Sequence, residues 1–95
     1  MTEITKTIER PVRVIQIRKG RLTCCSGADS SKSWLVEGDV FRIGSLPEND
    51  VVLRDSTVSR NHAEIVRTHD GVLLRDMGST NGTFVGNMRV REVYL

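Results

Sequence analysis

Residues 58–90 read VSRNHAEIVRTHDGVLLRDMGSTNGTFVGNMRV, and this run is built from two hairpins. His62–Thr68 and Val72–Asp76 are joined through His69-Asp70-Gly71, where glycine admits the positive φ of a tight turn. Thr83-Phe84-Val85 and Met88–Tyr94 are joined by Gly86-Asn87, a second hairpin signal. Between the hairpins lies Met77–Gly82, a bend rich in small polar residues. Working outward, Val12–Ile17, Arg21–Cys25, Trp34–Val36, Val40–Ile43 and Val51–Leu53 are short apolar stretches separated by turn signals such as Lys19-Gly20, Glu37-Gly38-Asp39 and Asn49-Asp50. Ser26–Ser33 is a polar loop. The pattern predicts seven to nine short strands, no helix, and an antiparallel β-sandwich or barrel, with two facing sheets suiting the divided apolar content best.

Composition supports an all-β domain. Val, Ile and Thr number 26, against nine for Ala and Leu together, and branched side chains favour a pleated surface. The 95 residues allow one small domain with a workable core. A formal net charge of +2, evenly spread, is no footprint for nucleic acid. No apolar run reaches the length of a membrane span, and the mixed-charge N-terminus is unlike a secretory signal. Cys24 and Cys25 are adjacent, so on a strand they face opposite ways and cannot pair with each other. Two reduced thiols suit a cytoplasmic protein. No His, Cys or acidic cluster has metal-ligand spacing, and no motif calls for a cofactor.

Three loops concentrate hydrogen-bonding groups where strands stop: Gly44–Asp50, Asp55–His62 and Met77–Thr83. If they converge at one end of the sandwich, their hydroxyls, amides and backbone N–H groups, with Arg60, form a cup suited to an oxyanion such as phosphate. Ser59 and His62 have the spacing of neither an esterase elbow nor a motif-placed triad, so the chain is read as a non-enzyme. Asn81-Gly82-Thr83 matches a glycosylation sequon but is read as a turn. Trp34, Phe41, Phe84 and Tyr94 are assigned to core or cross-strand packing, and Arg89 and Arg91 to a solvated face.

The segments IGSLPENDVVLRDSTVSRNHAEI and GVLLRDMGSTNGTFVGNMRV resemble the forkhead-associated (FHA) family over residues 12–95. The resemblance implies a β-sandwich of the FHA/SMAD type with about eleven strands, acting as a binding module for phosphothreonine peptides. It places Ser59 and Arg60 at the phosphate and Thr80 and Asn81 at the phosphothreonine and peptide backbone. Gly44 falls at the turn, His62 in a bracing role, and Gly78 and Gly82 on either side of the recognition loop.

Two departures matter. Ser45 stands where the family usually has the phosphate-binding arginine, which leaves open a phosphate-independent protein contact or an oligomerisation role, with Arg42, Arg54 or Arg60 as substitute charges. The chain also stops at Leu95, short of the strands that usually close the sandwich. It is read as a fragment of a larger protein whose open sheet edge invites a homodimer. Its REVYL ending is similar to FHA domains preceding the ATPase domain of bacterial enhancer-binding (sigma-54-dependent) transcription activators. Residues 1–11 are read as a flexible arm closed by Pro11. If phosphorylated, Thr2, Thr5 or Thr7 of that arm could dock in the domain's own cup.

Overall fold

The computed structural model describes residues 4–6, 15–18, 20–25, 27 and 29–95. Eleven strands follow in this described part, with no helix: β1 Ile4–Lys6, β2 Ile15–Arg18, β3 Arg21–Cys24, β4 Ser33–Leu35, β5 Val40–Gly44, β6 Val51–Val52, β7 Ala63–Thr68, β8 Gly71–Asp76, β9 Thr83–Val85, β10 Met88–Val90 and β11 Glu92–Tyr94. One sheet has the order β1-β2-β3-β4, the other β11-β8-β7-β5-β6, and β9 and β10 pair as a separate ribbon.

Alternation of buried and exposed side chains along the strands sets the layers. Along β5 the side chains run exposed, buried, exposed, buried, the period of a strand with one face on a core. Phe41, Ile65 and Leu74 are register partners across β5, β7 and β8. They meet Leu22 and Cys24 of the other sheet in a single core with Ile43, Val51 and Leu53. The opposite face of the five-stranded sheet carries the row Arg42, Glu64, Arg75, Glu92. There Arg75 Nη1 lies 3.2 Å from Glu64 Oε1 and Nε lies 3.4 Å from Glu92 Oε1. Cys24 is buried and Cys25 exposed, both as free thiols. Phe41 is buried, Trp34 packs against the core, and Tyr94 lies opposite Leu73 on the outward face.

Four details differ from the sequence reading. Met88–Tyr94 is two strands, because the Arg91 carbonyl accepts the Asp76 N–H (2.7 Å) and the chain changes partner there, from β9 to β8. The sheets are not wholly antiparallel: β5 and β6 run parallel, with Ile43 opposite Val51. The six residues between them are folded back by a turn in which the Asn49 N–H meets the Leu46 carbonyl (3.1 Å) and the Asp50 carboxylate accepts the Arg42 N–H (2.8 Å). Ile4–Lys6, within the segment read as an arm, is a strand paired with Ile15–Ile17, while Thr2, Thr7 and Pro11 lie outside the described residues. Lastly, the polar Ser26–Ser33 loop contains a fully buried carboxylate. Asp29 accepts the Arg54 N–H (2.7 Å) and Nε (3.2 Å) and the Lys32 ammonium (3.0 Å), fastening this loop to the segment after β6.

Ile65→Ala removes a side chain that is 1% exposed at the centre of the core and is expected to cost about 2–5 kcal/mol. Met88→Ala, at 67% exposure, should stay within about 0.5 kcal/mol of the parent. Urea denaturation of the two variants measures both.

Candidate functional site

Register alone brings the three polar loops together. Ile43 near the end of β5, Ala63 at the start of β7 and Asp76 at the end of β8 are consecutive cross-strand partners. The 45–50, 53–62 and 77–82 loops therefore leave the sheet side by side at one edge. Backbone bonds tie the first two: Ser45 N–H to the Ser59 carbonyl (3.1 Å), Leu46 N–H to the Arg60 carbonyl (3.3 Å) and His62 N–H to the Ile43 carbonyl (2.9 Å). The buried Asn49 amide adds a bond from Nδ2 to the Arg60 carbonyl at 2.7 Å.

This close approach explains Gly44. Its role is not a turn conformation, since it is the last residue of β5. A Cβ there would overlap the Arg60 carbonyl oxygen and lie 2.7 Å from Asn49 Nδ2. Gly78 and Gly82, by contrast, take left-handed φ values of 72° and 90° at the two ends of the third loop.

His62 is fully buried and joins the second and third loops. Its Nδ1 accepts the Ser59 N–H at 3.0 Å, and its Nε2 lies 2.9 Å from the Gly82 carbonyl. A backbone N–H can only donate and a carbonyl can only accept, so these partners assign the neutral tautomer with the proton on Nε2. Ser59 thus meets the imidazole through its amide. Its hydroxyl oxygen faces the third loop and accepts the Thr80 N–H at 3.1 Å. Asn81 Nδ2 donates to the Thr57 carbonyl at 2.8 Å, a second clasp between the same loops.

Asp76 shapes the third loop from its root. One carboxylate oxygen accepts the Gly78 and Ser79 N–H groups (3.0 Å each), the other the Ser79 hydroxyl (2.5 Å) and the Thr83 hydroxyl (2.7 Å). The Ser79 oxygen in turn accepts the Gly82 N–H at 3.0 Å. Burial acts to raise the Asp76 pKa, but the bonds from the Ser79 hydroxyl, the Thr83 hydroxyl and the Ser79 N–H outweigh it and hold the carboxyl below the usual carboxylate range. Asp29 behaves alike: burial is again opposed, here by the Arg54 N–H, Lys32 and the Arg54 side chain, and the net shift is downward.

The loops enclose an open cup of about 500 Å³. Ser45, Ser59, Arg60, Thr80 and Asn81 all line it, while Gly44, His62, Gly78 and Gly82 build the loops. Of the three substitute charges weighed from sequence, only Arg60 lines the cup. Arg42 lines a separate cavity of about 160 Å³ with Asn49, Asn61 and Met77, and the Arg54 guanidinium turns to Asp29. Sequence reasoning did not single out Asn49 or Asp76. A signal for Asp76 was present in Asp76-x-Gly78-Ser79, the arrangement in which an aspartate caps the amides two and three residues ahead.

Gly44→Ala is expected to destabilise the fold by about 1–3 kcal/mol, since only backbone movement can relieve the overlap. Asp76→Ala should cost about 2 kcal/mol and speed amide exchange across residues 77–82. The pH dependence follows from the sign of the shift. An Asp titrating near 3.9 when unfolded and lower when folded contributes stability that is complete above about pH 5 and is lost as pH falls through the folded value. Denaturation midpoints should therefore fall on acidification, and less steeply in Asp76→Ala than in the parent.

Comparison with known proteins finds relatives of this chain. Transcriptional regulatory protein EmbR of Mycobacterium tuberculosis is 39% identical over 63 residues, 66% of this chain and 16% of EmbR. The structure of Mycobacterium tuberculosis EmbR in complex with a low-affinity phosphopeptide superposes with a TM-score of 0.65 at 38% identity, covering 72% of this chain and 18% of that one. A structure from a study of phosphothreonine-dependent FHA domain interactions covers 99% of this chain and 79% of its own, at 28% identity and a TM-score of 0.65. The chain thus spans less than a fifth of the length of EmbR. The FHA domain pattern itself matches residues 41–95, more than half of the chain and the part that carries all three loops, and this chain belongs to the FHA domain family.

Proposed function

We propose that the domain binds a phosphothreonine-containing segment of a partner protein in the cup lined by Ser59, Arg60, Thr80 and Asn81. One observation carries the reading. The Ser59 hydroxyl oxygen is fixed by the Thr80 N–H, so its own proton is left for an acceptor, and Arg60 lines the same polar depression. A fixed hydroxyl donor sharing a depression with an arginine suits a phosphate ester. Thr80 and Asn81, pinned to the second loop, stand where the threonine and its flanking backbone would lie. The phosphopeptide bound to EmbR supports the reading. The domain so understood recruits or switches a partner and does no chemistry. A regulatory role within a larger transcriptional regulator follows the likeness to EmbR.

Ser45 favours a second reading, a contact that ignores phosphate. It lines the cup without a positive charge, and a charged hydrogen bond is worth about 1.5–3 kcal/mol. Matched peptides carrying threonine and phosphothreonine, titrated by calorimetry, separate the two. The phosphothreonine reading expects binding only of the phosphorylated form, loss of binding in Ser59→Ala, and a roughly ten- to hundredfold gain in Ser45→Arg. Equal affinity for the two peptides establishes the second reading instead.

A further inference from the structure

The 77–82 loop also borders a second depression, of about 700 Å³. Met77, Thr80 and Asn81 line the cup, whereas Gly78 and Ser79 line this neighbour. Its walls carry three guanidinium groups, from Arg75, Arg89 and Arg91, and two carboxylates, from Asp76 and Glu92.

The carboxylates are committed. Asp76 accepts four hydrogen bonds from its own loop and from Thr83, and Glu92 faces Arg75. Arg75 is in turn held between Glu64 and Glu92. The guanidinium groups of Arg89 and Arg91 have no ion pair or hydrogen bond among the described residues. Arg89 nonetheless has a defined seat: it lies opposite Phe84 on the β9–β10 ribbon, and a Cβ on Gly82 would come within 2.7 Å of its Nε. One guanidinium is therefore packed against the recognition loop, and a second, two residues on, opens into the same concavity. This is more than the solvated face that strand alternation suggests.

We propose that Arg89 and Arg91 form a second oxyanion subsite, filled by an acidic or phosphorylated residue of the same segment whose phosphothreonine occupies the cup. The inference rests on the phosphothreonine reading above. The guanidinium fork matches carboxylate and phosphate oxygens in two-point geometry. The shared loop lets one extended segment enter both depressions. The subsite also returns positive charge to a binding end that has serine at position 45.

Three phosphothreonine peptides test this on the full chain by calorimetry: one with neutral flanks, one with flanking glutamates, and one with a second phosphorylated residue at scanned positions. The parent domain is expected to bind a doubly anionic peptide roughly five- to tenfold more tightly than the neutral one, with the gain fading at high salt. Arg91→Gln, which leaves the recognition loop untouched, should lose that gain while binding the neutral-flank phosphopeptide as the parent does. A gain from glutamates assigns the subsite to acidic residues, and a gain only from the second phosphate assigns it to phosphate. Equal affinity for all three peptides overturns this proposal alone, as does a variant that weakens all three equally. A parent that binds no phosphopeptide overturns both this proposal and the reading it rests on.

Discussion

A buried imidazole holds the binding end of this domain together. His62 takes the Ser59 N–H on one nitrogen and reaches the Gly82 carbonyl with the other. Those two residues lie 23 positions apart, on the loops that flank the paired strands β7 and β8. The ring itself is fully buried, where unmade polar groups are expensive. The neutral ring accepts on one side and donates on the other while filling the space between. Beside it Ser59 is placed, the Ser59 hydroxyl meets Thr80, and Asn81 closes on Thr57.

Around this brace the site divides its labour. Gly44, Asn49 and Asp76 set loop geometry through backbone contacts, out of the cup. Ser45, Ser59, Arg60, Thr80 and Asn81 line the opening. Asp76 alone fixes four donors, so the third loop is rigid despite its short, polar sequence. A preformed loop loses little further freedom when a peptide arrives, which favours affinity from few contacts.

Much of the architecture was legible in the residues. Short apolar stretches bounded by turn signals placed most strands to within a residue, and Asp70-Gly71 and Gly86-Asn87 marked both hairpins. The break at Arg91 was not read, because no glycine or proline marks it and only the partner strand changes. Nor was the parallel β5–β6 pair, which depends on a turn fastened by Asn49 and Asp50. The candidate residues of the cup were found through the family likeness and through loops rich in hydroxyls. That these loops share an edge is a matter of register, and register between distant strands leaves no local mark. Asp29, Asn49 and Asp76 were missed for one reason: a polar residue in a polar loop looks solvated until its backbone partners are known.

Gly44 and Ser45 are neighbours with opposite tolerance for change. The first has no room for a single methyl group, because a backbone carbonyl occupies the space. The second borders an open cavity that side chains of many sizes could enter. A lineage carrying this domain can therefore reshape the lining of the cup through one codon while the adjacent codon stays frozen, without the scaffold being renegotiated.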